Sequence, residues 1–455
     1  MDAEQPLQMC DALLPLVGEA CCQQLLARMY DREVLRAADI KTETICRVDA
    51  FIASHGVEAM PRREVMLESD SKSRIFVVHT QLSDSDSFTL VVKWYNGSRQ
   101  RLATVEQQMN TYFQQRLAPY CAVGPILAVV PLMAIEPLSV AIMPYLGDTT
   151  LYDYLHQMPR HSPQVETLLC QASDTLAAAQ VLGRLGHEEQ AIHLTNLASE
   201  EEATAYFLYQ IDSVLLQTLS VGSQASSMAN DLLEPLTFFA AILGADSCTA
   251  GLYYRGINPR NIMWFEGQQI EIDFEQETLR SRYIDIVTLL ENGLEMTHWD
   301  AAADYPCFDA QTPFVLWDAR RQWAWDVLAQ YNYLNHHQVE ALTESFLATT
   351  SRFEQQYLAS QRPTLSRTQR RLLLETARLF RHLQYVGYCK RNEQQALTAA
   401  KRLSSQYRQQ FHALWAKCTL DRLLYPQRPA DKCLPDAGRE AALALRRTLD
   451  GLPIG

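Results

Sequence analysis

Residues 254–264 read YRGINPRNIMW, and nine positions after Asn261 the chain reads IEIDFEQ over residues 270–276. Gly256 and Pro259 make the first stretch a loop between two short strands. The second is a strand closed by Asp273, a carboxylate between Ile272 and Phe274. Burying such a group costs on the order of several kcal/mol unless it is paired or bound to metal. An Asn-containing loop followed by a buried-strand Asp therefore decides how the rest of the chain is read.

Working outward, two further polar residues stand in apolar surroundings. Lys93 closes the run TLVVK, and Glu106 falls within the helix expected from about residue 99 to 117. A Lys on a strand, an acid on the next helix and a distant Asn and Asp suit a nucleoside triphosphate. The Lys neutralises phosphate charge, the acid holds the Lys, and the Asn and Asp oxygens suit Mg²⁺. Taken singly, Lys93 reads as a solvated strand-end charge, Glu106 as one helical acid among many, and Asn261 as a cap. Only the four together, in this order, make a site.

The surrounding pattern fits a small mixed lobe and a large helical one. RIFVVHTQL and SFTLVVKWY are β-branched and aromatic runs separated by SDSD, a hairpin signal. GPILAVVPLMAI and LSVAIMPYL suit two more strands. The expected division is a helical extension over 1–60, a small lobe over 61–146, and a helical lobe over 147–425 carrying the loops at 252–285. A tail over 426–455, opened by Pro426, Pro429 and Pro435, is expected to pack loosely.

The segment YRGINPRNIMW…IEIDFEQETLRSRYIDIVTLLENG resembles the catalytic segment of the aminoglycoside phosphotransferase and choline/ethanolamine kinase group. The resemblance implies an α+β, protein-kinase-like two-lobed fold, here with extra N-terminal helices and a long helical C-terminal half. It extends over about residues 65–300. Asn261 and Asp273 match that family's metal ligands, and Lys93 and Glu106 its nucleotide-holding pair. Glu275 matches a residue near the metal, and Asp285 one that braces the catalytic loop. IMPYLGDTTLYDYL resembles the hinge that cradles adenine through backbone groups from Met143 to Leu146. ATP and Mg²⁺ are the implied cofactors.

The departures are as informative. Gly256 occupies the position of the family's catalytic Asp, which contributes about 10²–10⁴-fold by proton transfer, and Tyr254 replaces its His. MLESDSKSRIFVVH, ahead of Lys93, contains no glycine, so a Gly-rich phosphate loop is missing. Three readings stay open. One is a divergent phosphotransferase acting on a small hydroxyl- or amine-bearing acceptor, with Glu275 as the candidate base. A second is a pseudokinase working through a partner docked on the helical extensions. The third is a kinase-fold AMP-transferase resembling the selenoprotein O family. It rests on Asn258 three positions before Asn261, but Arg260 stands where that family has Asp.

Bulk properties narrow the class further. The chain has 455 residues, enough for two or three domains or one two-lobed body, and a net charge of −13. That charge argues against broad binding of nucleic acid or anionic membrane. No apolar run reaches the roughly 18 residues needed to span a bilayer, and Asp2 and Glu4 stand where an export signal would be basic. The eleven cysteines form no CxxC pair, so reduced thiols and a cytoplasmic setting are expected. His336-His337 and His187…His193 lack further metal ligands at suitable spacing and are expected on helix surfaces. The aromatics of WDARRQWAWDVLAQYNYL read first as core. With Asp318, Asp326 and Glu340 they would also suit a cationic acceptor.

Overall fold

The computed structural model describes residues 65–67, 74–81, 87–96, 100–126, 128–131, 138–158, 162–192, 204–205, 225–250, 258–274, 281–291, 314–359, 364–395, 399–428 and 432–451. The expected helical extension over 1–60, Gly256, Glu275 and the side chains of Trp317, Trp323, Trp325, Tyr331 and Tyr333 lie outside the described residues. The chain forms two compact units. One runs to Thr149 and takes in Met263–Gln276, and the other holds Thr150–Ile262 and Glu277 onward. The fold is of the expected α+β class, with a small sheet-bearing unit and a larger helical one.

In the first unit, strands β1 (Val65–Leu67), β2 (Arg74–Gln81), β3 (Ser87–Asn96), β5 (Ala128–Pro131) and β6 (Leu138–Pro144) form a five-stranded sheet in the order β1-β2-β3-β6-β5. All its pairings are antiparallel. Helix α1 (Gln100–Leu117) packs on this sheet. Its buried stripe runs Ala103, Glu106, Asn110, Phe113, Leu117 at helical spacing. Ala103 joins Tyr95 and Ala141 in a fully buried cluster. A second sheet, β4-β8-β7, joins β4 (Ala122–Val123) in parallel to β8 (Gln268–Glu271), which follows β7 (Ile262–Phe265). Glu266 and Gly267 turn that hairpin with φ of 49° and 77°, the left-handed pair that a tight two-residue turn between right-twisted strands requires.

The helical unit comprises α2 (Leu151–His156), α3 (Pro163–Glu188), α4 (Ala225–Ala250), α5 (residues 282–291), α6 (Phe314–Tyr357), α7 (Arg367–Gln395), α8 (Ala399–Leu424) and α9 (Asp436–Gly451). Thr150 and Asp153 close a reciprocal capping box on α2. No helix among the described residues is long and apolar enough to cross a membrane.

Two expectations are corrected here. The tail does not pack loosely: α9 lies against α4 and α8. Gly438, Ala442, Leu445 and Leu449 form its buried stripe. A Cβ on Gly438 would come within 2.6 Å of Phe238, so glycine is what lets α9 approach α4 this closely. The prolines stop α8 but leave the apolar repeat beyond them intact.

His336 is buried, not on a helix surface, and sits in a charge network that ties α5, α6, α7 and α8 together. Arg378 of α7 donates to Glu291 of α5 at 2.5 Å and to His336 Nδ1 of α6 at 2.9 Å. Arg422 of α8 grips Glu375 of α7 at 3.0 Å. Because arginine only donates, His336 Nδ1 must accept, and its proton sits on Nε2. Glu375 lies 3.2 Å from the same ring nitrogen and favours the imidazolium. Burial, with Arg422 and Arg378, outweighs it and lowers the His336 pKa to about 3. Burial alone would raise the Glu375 carboxyl, but Arg422, His336 and Arg378 hold it at about 2.

Both folded values lie below the ordinary 6.5 and 4.5, so each group contributes stability that is present above its ordinary pKa and lost as pH falls toward the folded one. Urea unfolding should therefore show stability declining from about pH 6.5 to 3, and His336→Gln should flatten the upper part of that decline. Leu445→Ala should destabilise the helical unit by about 2–5 kcal/mol, read as a lower urea midpoint at unchanged slope.

Candidate nucleotide site

Lys93 lies inside β3, between Ile75 of β2 and Ala141 of β6, and the strand runs three residues past it. Its position is therefore central, not the strand end expected from the sequence. Strand alternation puts Lys93, Tyr95 and Val91 on one face, with Ala141 and Met143 opposite them on β6. That face carries the core cluster with Ala103, so it is turned to α1.

On this face the Lys93 ammonium, with 4% of the side chain exposed, meets two carboxylates. Nζ lies 3.0 Å from Glu106 Oε2, 3.3 Å from Glu106 Oε1 and 2.6 Å from Asp273 Oδ1. Tyr95 donates its hydroxyl to Glu106 Oε2, and its ring lies 5.2 Å beneath the ammonium. An unpaired charge here would cost several kcal/mol, roughly 3–5 when one partner of a buried pair is removed. Three of the four residues expected in the site thus meet: the Lys, the helix acid and the Asp.

Each partner is held by its own element. Glu106 is almost wholly buried and presented by the inner stripe of α1. Asp273 stands two residues past β8 with φ of 71°, a left-handed conformation that costs little only for Gly, Asn and Asp. This twist takes it out of the strand ladder. Phe274 then stacks on Phe113 of α1 at 5.2 Å and 24°, fixing the segment against the helix that carries Glu106. Asp273 keeps 27% of its side chain open, whereas Glu106 keeps 1%. Among the described residues, one ammonium and two carboxylates give the cluster a formal charge of −1, with Asp273 its most exposed member.

Asn110, one turn beyond Glu106, fastens the second sheet to the helix. Its Nδ2 donates to Gly124 O at 2.7 Å, and its Oδ1 accepts from Ile126 N at 3.1 Å. Gly124 N in turn donates to Glu271 O at 2.8 Å. A Cβ on Gly124 would sit 2.9 Å from Ile272 and 3.2 Å from Leu146, so glycine permits this close approach of β4 to the strand leading into Asp273. Leu146 therefore packs over that junction, while Met143, one residue before the end of β6, pairs with Val91. Between them Tyr145 has its phenol pushed up to about 12 by burial and by Asp148.

Tyr95 and Asn110 were not singled out from the sequence, although both follow from periodicity. Tyr95 is two strand residues from Lys93, and Asn110 is four helix residues from Glu106. Glu271 was missed as well. It is buried, and neither carboxylate oxygen has a hydrogen-bond partner among the described residues. Burial therefore raises its pKa well above the usual carboxylate range. It stands between Ile270 and Ile272 as Asp273 stands between Ile272 and Phe274, so the signal that marked one acid also marks the other.

The remaining expected residues belong to the helical unit. Asn261 ends the 3₁₀ turn Pro259–Asn261, and its N–H donates to Asn258 O at 2.8 Å. Asn258 Oδ1 caps this turn by accepting from Arg260 N at 2.8 Å. Asp285, buried on α5, accepts from Gln180 of α3 at 2.9 Å. The Arg260 guanidinium lies 3.7 Å over the Tyr152 ring.

No protein-family profile and no curated protein sequence matches the chain. Among solved structures it is similar to an aminoglycoside phosphotransferase from Alicyclobacillus acidocaldarius, at 11% identity and a TM-score of 0.41 over 86% of this chain and 93% of that one. A glucosamine kinase in complex with glucosamine, ADP and inorganic phosphate aligns at 13% identity and a TM-score of 0.43, over 81% of this chain and 93% of that one. A second crystal form of glucosamine kinase aligns at 14% identity and 0.42, over 72% and 75%. These likenesses are too faint to carry anything about the chemistry of this chain.

Glu271 gives this site a pH signature. Its folded pKa lies above the ordinary 4.5, so the folded state is penalised once pH exceeds 4.5 and the unfolded chain ionises. Glu271→Gln should raise the melting temperature at pH 7 to 8, with the gain vanishing near pH 4. A gain that stays constant across that range would show that Glu271 is not held protonated.

Proposed function

We propose that the chain is a kinase-fold phosphotransferase that binds Mg²⁺·ATP and passes the γ-phosphate to a small hydroxyl- or amine-bearing acceptor. The observation that carries this reading is the buried Lys93 ammonium held at once by Glu106 and by the partly open Asp273. A lysine that only had to be solvated would not be placed on an inward sheet face. One that must present positive charge to phosphate oxygens needs this rigid, water-poor setting, where each charge-assisted contact is worth roughly 1.5–3 kcal/mol.

The chemistry of the donor set fits the metal. Asp273 is a hard oxygen donor at the open edge of a cluster with a formal charge of −1, the kind of ligand that Mg²⁺ takes in ones and twos beside phosphate and water. When bound, the ion would supply charge neutralisation to the phosphates. The protein residues do the holding. Glu106 and Tyr95 orient Lys93, and Phe274 anchors Asp273. The face shared with Val91 and Met143 offers an apolar strip two residues from Lys93 for a base.

Gly256, in place of the family's catalytic Asp, favours a second reading, a nucleotide-binding pseudokinase. One experiment tests both: ADP release across a panel of hydroxyl and amine acceptors, with Mg²⁺·ATP binding measured in parallel by calorimetry. Lys93→Ala should weaken ATP binding about tenfold or more, and Asp273→Ala should abolish the metal-dependent part. The phosphotransferase reading expects slow turnover that Asp273→Ala removes, and a rise on Gly256→Asp where the loop accepts a side chain. Binding without turnover in every acceptor leaves the pseudokinase. Absence of binding removes both.

A further inference from the structure

The 3₁₀ turn Pro259–Asn261 presents a side chain that the nucleotide reading leaves unused. Arg260 stands one position before Asn261 and four after Gly256, and it is exposed. Its backbone is fixed on both sides. The Arg260 N–H donates to Asn258 Oδ1 at 2.8 Å, Pro259 is buried, and the Asn261 N–H donates to Asn258 O at 2.8 Å.

The guanidinium is held as well. Its Cζ lies 3.7 Å over the centre of the Tyr152 ring, which is van der Waals contact between two planar groups. Tyr152 is half-buried on α2, next to the fully buried Leu151, and the capping box at Thr150 secures the start of that helix.

What this guanidinium lacks is a carboxylate. Residues 151–350 carry 27 acids against 8 basic residues, so acids that could pair with an arginine abound in this part of the chain. Among the described residues none of them pairs with Arg260. Asp153, next to Tyr152, is committed to its own cap, where Oδ2 accepts from the Thr150 N–H at 3.0 Å and from its hydroxyl at 2.6 Å. A ring over one face uses none of the N–H donors, because they lie in the guanidinium plane around its edge. Arg260 is therefore ordered in advance, its charge uncancelled and its fork open. Carboxylate and phosphate oxygens match such a fork two at a time.

We propose that Arg260 sets the class of the acceptor: a small molecule bearing an oxyanion, carboxylate or phosphate, besides the hydroxyl or amine that is phosphorylated. The Arg260 fork takes the oxyanion. This rests on the phosphotransferase reading, whose chemistry is unchanged. The acceptor oxygen or nitrogen forms a bond to the γ-phosphorus, the bond from that phosphorus to the bridging oxygen breaks with its electron pair leaving on ADP, and the acceptor proton is released to water.

Calorimetry on the full chain tests it, with and without Mg²⁺·ADP, on sets that share a frame and differ in charge. The first is glycerol, glycerate and glycerol 3-phosphate, and the second glucose, glucuronate and glucose 6-phosphate. At least one anion should bind about tenfold or more tighter than its neutral parent, and the carboxylate and phosphate arms show which oxyanion is preferred. Arg260→Gln should remove that advantage without lowering the melting temperature. Arg260→Lys, which keeps the charge but loses the fork, should restore only part of it, and Tyr152→Leu should weaken anion binding severalfold. Arg447→Gln, at an exposed arginine on α9, should change nothing. The proposal is overturned if no anion outbinds its neutral parent, or if Arg447→Gln weakens binding as much as Arg260→Gln does. It is also overturned if Arg260→Gln lowers the melting temperature and leaves anion affinity intact, the mark of a plain tether between the turn and α2. Mg²⁺·ATP binding measured in parallel separates this inference from the reading beneath it. ATP binding without anion preference overturns the acceptor class alone, whereas anion binding at Arg260 without ATP binding overturns the phosphotransferase and leaves an oxyanion site.

Discussion

Everything in the sheet-bearing unit depends on giving one buried ammonium two carboxylate partners. Lys93 has almost no contact with solvent, and at such a position the desolvation penalty exceeds what one ordinary ion pair returns. The unit solves this with three elements far apart in sequence: β3 for the Lys, α1 for Glu106 and the segment after β8 for Asp273. Each of the neighbouring contacts, Tyr95 on Glu106, Phe274 on Phe113 and Asn110 on Gly124, holds one of these elements in place. Removing the charges would leave the sheet and helix with no reason for this alignment.

That dependence explains which parts were legible in the sequence. Strand and helix identity came from local periodicity, and Lys93, Glu106 and Asp273 stood out because a polar residue in an apolar run demands a partner. The centrality of β3 was not legible, because only pairing with β2 and β6 distinguishes a central strand from an edge. Tyr95 and Asn110 are uncharged, so they drew no attention, although the same strand and helix spacing that marks their charged neighbours puts them on the same faces. Pro426, Pro429 and Pro435 suggested a loose tail, yet the stripe from Gly438 to Leu449 was present in the sequence and needed only α4 and α8 to cover it. His336 looks like a surface residue in the sequence because its partners Glu375, Arg378 and Arg422 lie on other helices, where no spacing rule reaches.

The two units spend their buried charge differently. In the helical unit, Glu291, Glu375, Arg378 and Arg422 balance as two acids and two guanidiniums, largely out of solvent. With His336 of α6, this network ties four helices together. The Lys93 cluster sets two acids against one cation among the described residues, and its most exposed member is Asp273.

The contrast between Glu271 and Asp273 sharpens this point. They are two residues apart on one segment and flanked by the same kind of apolar neighbours. Had β8 continued straight, strand alternation would have sent both side chains the same way, and Asp273 would share the burial that keeps Glu271 protonated. The left-handed backbone at Asp273, with φ of 71°, interrupts that alternation and brings its carboxylate to Lys93 with part of it still open. An aspartate tolerates this conformation better than a β-branched or long side chain would. The backbone twist, as much as the residue type, thus makes Asp273 the one of these two acids that reaches Lys93 and keeps 27% of its side chain exposed.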